Sequence, residues 1–151
     1  MWCKVYRMRV PHLPFVFKIA PMKVFIIDDD EISIFLTERS IQLGGYNVNL
    51  KTFLSAEDAL AIIRKAQPEE LPDIIFLDLN MPTVNGWEFL EKFEQLSLEK
   101  SLEKCLIYIL TSSLDTAYIA KADDNILVKG FIHKPIDRED MAVILQPNNS
   151  F

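Results

Sequence analysis

Short hydrophobic runs alternate along this chain with segments whose apolar residues recur at helical spacing. The runs have the length and composition of buried strands, and two of them end directly in an acidic residue. The second run carries polar residues at alternate positions, which favours a strand at the edge of a sheet. The predicted strands are Lys23–Ile27, Tyr46–Phe53, Ile74–Leu77, Cys105–Leu110 and Lys129–His133.

Helical segments follow each predicted strand. Gly44 and Gly45 end the first helix, while Ser55 and Asp137 are placed to cap the second and the last. The predicted helices are Glu31–Leu43, a segment around Ala59–Ile63, Gly86 to about Gln95, Thr116–Asp124 and Asp137–Leu145. In the first helix we expect the buried face to include Ile32, Phe35, Leu36 and Leu43.

Five successive strand–helix units predict an α/β fold, a doubly wound parallel sheet with helices on both faces. Parallel neighbours need crossover connections, and the intervening helices supply them. In open sheets of this class, ligands and chemistry gather at the carboxyl ends of the strands.

Charge is distributed unevenly along the chain. The net charge is −6, yet the residues before Met22 hold four basic side chains and no acidic one. Without those four, 12 basic residues stand against 22 acidic ones, so the remaining chain carries −10. A body this acidic favours a cation or a basic partner surface and argues against direct nucleic-acid binding.

Cysteine content and hydropathy point to a cytoplasmic protein. Cys3 and Cys105 form no disulfide framework. No apolar run approaches the roughly 20 residues needed to span a bilayer, so we expect no membrane span.

The folded domain is predicted at residues 22–147. Residues 1–21 are interpreted as an N-terminal extension, disordered or the product of a mis-assigned start, because prolines interrupt the apolar part and no cleavage pattern follows. An anchoring or targeting segment is the alternative. Residues 148–151 form a short tail. Since little follows the last helix, we expect the protein to act alone, through a protein partner, or as a relay.

Polar residues follow four of the predicted strands. Asp28, Asp29 and Asp30 follow the first strand and Asp78 the third, while Thr111 and Lys134 follow the fourth and the fifth. A solvated charge run would account for the three consecutive aspartates alone, and helix capping would account for Asp78 alone. Neither explains the joint pattern.

Such a cluster suits phosphoryl chemistry. Carboxylates held together repel each other, and a Mg²⁺ ion offsets that repulsion because it prefers oxygen ligands. A lysine and a hydroxyl can then bind phosphoryl oxygens, and a carboxylate can act as the nucleophile. These are the parts needed to form an acyl phosphate.

Four motifs carry a family resemblance. They are Ile26-Ile-Asp-Asp-Asp30, Phe76-Leu-Asp-Leu-Asn-Met-Pro82 with Asn85-Gly86, Leu110-Thr-Ser-Ser113 and His133-Lys-Pro135. In order and spacing they resemble the motifs of response-regulator receiver domains, here in a stand-alone, chemotaxis-regulator-like form. The resemblance spans about Met22 to Leu145 and implies a flavodoxin-like fold with strand order 2-1-3-4-5.

The resemblance also implies roles for individual residues. Asp78 matches the phosphorylation site. Mg²⁺ ligands would be Asp29 directly, Asp28 mainly through water, Asp78, and the backbone carbonyl of Asn80. Thr111 matches the switch hydroxyl and Lys134 the lysine that binds the phosphoryl group.

The switch follows from the same resemblance. The Lys134–Pro135 peptide is expected to be cis, and Phe131 stands where many family members have a tyrosine that turns inward on activation. The output surface would combine the fourth helix, the fifth strand and the last helix. Asn80 and Ser113 beside the pocket are expected to influence the lifetime of the phosphorylated form.

The predicted function is that of a phosphoacceptor response regulator. A histidine kinase or a histidine phosphotransfer protein would donate the phosphoryl group to Asp78 with Mg²⁺, and a downstream protein partner would recognise the result. On this view the protein is not an enzyme, beyond catalysing its own phosphorylation and dephosphorylation.

Two other classes of function were weighed. An aspartyl-phosphate phosphatase usually has a second acid two residues after its nucleophile, where this chain has Asn80. A receiver-like interaction module that never uses phosphate would be favoured by the loss of Asp29, Asp78 or Lys134, all of which are present. The two histidines, His12 and His133, lie far apart without partner cysteines, which argues against a zinc site.

Overall fold

The fold consists of five parallel strands alternating with five helices. A computed structural model describes residues 20–112 and 116–146. In chain order the elements are β1 (Met22–Ile27), α1 (Glu31–Gly44), β2 (Val48–Phe53), α2 (Ala56–Lys65), a short 3₁₀ turn (Pro68–Glu70), β3 (Ile74–Asp78), α3 (Gly86–Ser97), β4 (Leu106–Thr111), α4 (Thr116–Asp123), β5 (Val128–His133) and α5 (Arg138–Leu145).

The sheet has the order β2-β1-β3-β4-β5, which confirms the predicted α/β class and strand order. Every strand pair is parallel. The prediction that the second strand lies at an edge is also confirmed. Strand and helix bounds differ from the predicted ones by a few residues at most, apart from α2, which extends beyond the segment recognised in the sequence.

A hydrophobic core lies on each face of the sheet. Alternate side chains of β1 point to opposite faces, so Phe25 and Ile27 pack against α2 and α3 while Val24 and Ile26 pack against α1 and α5. Because both faces are covered, the central strands are apolar at almost every position. This explains why they appear in the sequence as unbroken hydrophobic runs.

Side-chain caps define the helix starts. Ser55 and Asp137 accept the expected backbone N–H bonds at α2 and α5, which confirms both predictions. Gly45, at φ 68°, ends α1 in the left-handed conformation that glycine adopts without a steric penalty. Asp30 and Asn85 cap α1 and α3, a role that was not assigned to them from the sequence.

The predicted buried face of α1 is wrong. Ile32 is 70% exposed and Phe35 61%, and Leu36 and Leu43 are exposed as well. The helix instead packs through Ile34, Thr37 and Ile41, which lie three and four residues apart on one face. Apolar residues occur all around α1, so the pattern alone cannot identify which of them meets the sheet.

Several predictions concern residues outside the described ranges. These are the interpretation of residues 1–19 as an extension, the tail at 148–151 and the influence of Ser113. Within the described ranges, every helix is too short or too polar to cross a membrane.

Candidate functional site

The site lies where the central strands end. Asp28 directly follows β1, Asp78 is the last residue of β3, Thr111 is the last residue of β4, and Lys134 directly follows β5. All strands are parallel, so these four ends meet at the same edge of the sheet. The Lys134 backbone N–H donates to the Thr111 carbonyl at 2.9 Å, which holds the last two strand ends together.

Asp28 is the most enclosed acidic group of the site. Its side chain is fully buried, and its Oδ1 accepts the Asp30 backbone N–H at 3.0 Å. Its Oδ2 accepts from Ser33 Oγ at 2.6 Å and from Lys134 Nζ at 2.5 Å. Bonds of this number and kind compensate a buried carboxylate for the loss of water. Ser33 was not recognised from the sequence, although one helical turn after the aspartates is a natural position for such a donor.

Lys134 forms ion pairs with two acidic residues. Its Nζ lies 2.5 Å from Asp28 and 3.7 Å from Asp78, so the stronger contact is with Asp28. The ammonium therefore stands beside the Asp78 carboxylate without forming a close hydrogen bond to it. The Lys134–Pro135 peptide is cis, as predicted.

The carboxyl group of Asp78 has a raised pKa. Its side chain is buried, and this burial, opposed by Lys134 and reinforced by the negative charge of Asp28, raises its pKa from 3.8 to about 7. The Asn80 backbone N–H donates to its Oδ1 at 3.2 Å. The ionised form of Asp78 is therefore unfavourable in this buried position.

Three acidic residues are close enough to share a cation. One carboxylate oxygen from each of Asp28, Asp29 and Asp78 lies within 4.8 Å of the others. Oxygen donors at this spacing fit Mg²⁺, and a bound cation would favour the ionised form of Asp78. Asp30, grouped with these residues in the sequence, instead bonds the Ile32 N–H as a helix cap. The expected contribution of Asn80 to metal binding stays a prediction.

The segment after Asp78 is held close to its strand. Gly86 donates its backbone N–H to the Leu79 carbonyl at 3.0 Å, and a Cβ at this position would lie 2.8 Å from the Asp78 carbonyl oxygen. Thr83 has φ 66°, an uncommon conformation for a β-branched residue. Asn85 then caps α3 by accepting the Trp87 and Glu88 N–H groups.

The two predicted switch residues lie in different surroundings. Thr111 is buried at the end of β4, at the same edge as the acidic residues. Phe131 is half-buried in β5 and packs against the core formed with α2 and α3. Their roles in switching stay predictions.

The exposed apolar side of α1 borders the site. Ile32 and Leu36 line a groove of about 260 Å³ together with Ile136, and Lys134 forms part of the same wall. Phe35, also exposed, lies on the same helix. Apolar residues exposed beside a reactive centre favour contact with another protein.

Known proteins share both the sequence pattern and the fold. A family model described as the response regulator receiver domain matches residues 24–146. Hybrid signal transduction histidine kinases L and C of Dictyostelium discoideum are each 31% identical to this chain, over 82% and 84% of its length. The chain spans 7% and 10% of the lengths of those two kinases.

Solved structures show the same architecture. A two-component response regulator from Cytophaga hutchinsonii is 31% identical with a TM-score of 0.72, covering 82% of this chain and 92% of that one. The chemotaxis protein CheY4 of Vibrio cholerae is 25% identical with a TM-score of 0.68, covering 84% and 98% respectively.

Proposed function

This chain belongs to the response-regulator receiver domain family, and we propose that it is phosphorylated on Asp78 by a histidine kinase or a histidine phosphotransfer protein. The observation that carries the proposal is the arrangement of Asp78 itself. Its carboxylate lies within 4.8 Å of the carboxylates of Asp28 and Asp29 and 3.7 Å from the Lys134 ammonium, at the edge of the sheet where the strands end.

The transfer uses the groups around Asp78. A carboxylate oxygen of Asp78 bonds to phosphorus while the bond from phosphorus to the donor's imidazole nitrogen breaks, and that nitrogen keeps the electron pair. Lys134 and the Thr111 hydroxyl stabilise the phosphoryl oxygens. Mg²⁺ held by Asp28, Asp29, Asp78 and the Asn80 carbonyl would supply charge neutralisation and polarise the phosphoryl group.

Switching then follows from the new charge on Asp78. Thr111 moves towards the phosphoryl group, and Phe131 turns into the space that it leaves. The face formed by α4, β5 and α5 thereby changes its shape for a downstream protein. Phe131 lacks the phenolic hydroxyl of tyrosine, so the inward conformation is stabilised by packing alone.

The donor protein is proposed to contact α1. Ile32 and Leu36 are exposed in the groove that Lys134 also lines, and Phe35 is exposed on the same helix. An apolar docking surface there positions the donor's imidazole over Asp78. The acidic character of the body favours a donor whose contact surface carries basic residues.

Intact-mass analysis with acetyl phosphate tests the proposal. We expect the gain of one phosphoryl group in the presence of Mg²⁺ and none in EDTA. Asp78→Asn should abolish the gain, while Asp124→Asn, which removes an exposed carboxylate directly after α4, should leave it unchanged. A protein that gains no phosphoryl group under any of these conditions would be a phosphate-independent interaction module.

A further inference from the structure

The helix α4 is held by few buried side chains. It has eight residues, and among them Ala122 alone is fully enclosed. A helix this short is unstable by itself in water. Contacts with neighbouring elements therefore decide where it lies.

A three-residue aromatic and cationic cluster joins α4 to α3. The rings of Trp87 and Tyr118 are stacked, with centroids 6.3 Å apart and planes 19° apart. The Lys121 ammonium lies 4.3 Å from the centroid of the Trp87 ring. Tyr118 and Lys121 are three residues apart in α4, so one side of the helix presents both groups to the indole.

Trp87 provides a firm anchor for this cluster. Its side chain packs against the core formed with α2 and α3. Its backbone N–H donates to Asn85 Oδ1 at 2.9 Å, and the neighbouring Gly86 is bonded to Leu79, the residue after Asp78. The indole is thus attached to the segment that directly follows the proposed phosphorylation site.

The other half of the cluster belongs to the segment that follows Thr111. Only residues 112–115 separate Thr111 from the start of α4. The cluster therefore connects the chain that leaves β3 after Asp78 with the chain that leaves β4 after Thr111. Because Trp87 packs against the core and Tyr118 belongs to α4, a shift of α4 relative to α3 separates the two stacked rings.

We propose that Trp87, Tyr118 and Lys121 form a latch that holds α4 in its unphosphorylated position and opposes the switch. The inference rests on the proposed function, since it concerns the regulation of that same site. A ligand that binds the switched state must open the latch, so the latch lowers the apparent affinity for such a ligand. Loss of the ring contact should shift the equilibrium about five- to tenfold, and loss of the exposed cation about two- to fivefold.

Binding of beryllofluoride, a mimic of the phosphoryl group, measures this shift. Its affinity for the full chain in Mg²⁺ can be followed by ¹⁹F NMR for wild type, Tyr118→Ala and Lys121→Met. Tyr118→Ala should bind about five to ten times more tightly than wild type, and Lys121→Met about two to five times more tightly. The control Lys92→Met removes an exposed ammonium from α3 and should bind like wild type.

Amide hydrogen exchange of α4 without ligand provides a second measurement. Exchange in α4 should be about five to ten times faster in Tyr118→Ala than in wild type, although alanine has the higher helix propensity. The fluorescence of Trp87, isolated by Trp2→Phe, should change when beryllofluoride binds, because the indole loses its stacked neighbour.

The outcomes separate the latch from the proposed function. If wild type binds no beryllofluoride, the phosphoacceptor function fails and the latch fails with it. If wild type binds but both variants have wild-type affinity and wild-type exchange in α4, the latch alone is refuted. Trp87 fluorescence that stays unchanged at saturating beryllofluoride would show that the three-residue cluster remains intact during switching, which also refutes the latch.

Discussion

Neutralising Asp78 should stabilise the protein in the absence of divalent cations. The pKa of this buried carboxyl is raised from 3.8 to about 7, chiefly by burial, with Asp28 adding to the effect and Lys134 opposing it. Asp78→Asn keeps the shape of the side chain and removes the charge. The substitution therefore removes a group whose ionised form is unfavourable in the folded state.

The pH dependence follows from the direction of this shift. Between pH 3.8 and about 7 the folded protein retains a proton on Asp78 that the unfolded chain has released. Stability is therefore lost as the pH rises through this window, and the loss is complete above it. A shift of about three pKa units corresponds to about 4 kcal/mol at most, so we expect Asp78→Asn to be about 2 to 4 kcal/mol more stable than wild type at pH 8.

Urea unfolding in EDTA, followed by circular dichroism, tests this expectation. The difference between Asp78→Asn and wild type should be largest at pH 8 and nearly vanish at pH 4. Asp124→Asn, which neutralises an exposed carboxylate, should stay within about 0.5 kcal/mol of wild type at both pH values. An Asn variant no more stable than wild type at pH 8, or a difference independent of pH, would refute the electrostatic account.

Three further substitutions test other parts of the site. Gly86→Ala should lower the free energy of unfolding by about 1 to 3 kcal/mol in urea titrations, because its Cβ would lie 2.7 Å from the Leu79 Cα. A change near zero would show that the backbone between Asp78 and Gly86 moves to accommodate the Cβ at little cost. Thr83→Gly should relieve an unfavourable positive φ and raise the free energy of unfolding by about 1 kcal/mol in the same assay; no gain would refute strain at this position. Phe35→Asp should slow phosphoryl transfer from a histidine-phosphorylated protein at least tenfold and leave the rate of phosphorylation by acetyl phosphate unchanged. Equal slowing of both reactions would show that Phe35 affects the transfer step itself and not the docking of the donor.

Much of the fold could be predicted because it depends on local periodicity. Buried parallel strands are apolar on both faces, so they stand out as unbroken runs such as Ile74–Leu77. Helix ends carry their own chemical signals, and Ser55, Asp137 and Gly45 act as expected. The placement of polar groups at strand ends followed from the topology, because parallel strands all end at the same edge.

The sequence was less informative about α1. Its apolar residues surround the helix, and the four assigned to the core are exposed while Ile34 and Ile41 are buried. Which side of a helix meets the sheet depends on how the connecting loops orient it. That orientation is a property of the packed molecule and leaves no reliable trace in a pattern of this kind.

The sequence by itself determined the parallel α/β class and the acidic, hydroxyl and lysine groups at the strand ends, and its family resemblance added the strand order and Asp78 as the candidate nucleophile. Only the tertiary structure decided how those groups pair: Lys134 bonds most closely to Asp28, 106 positions away, and Ser33 completes that contact. The tertiary structure also revealed the contact of Trp87 with Tyr118 and Lys121. Local pattern records where strands and helices lie and how they end, whereas the buried side of a helix and a contact between distant residues depend on distances of a few ångströms that only packing sets.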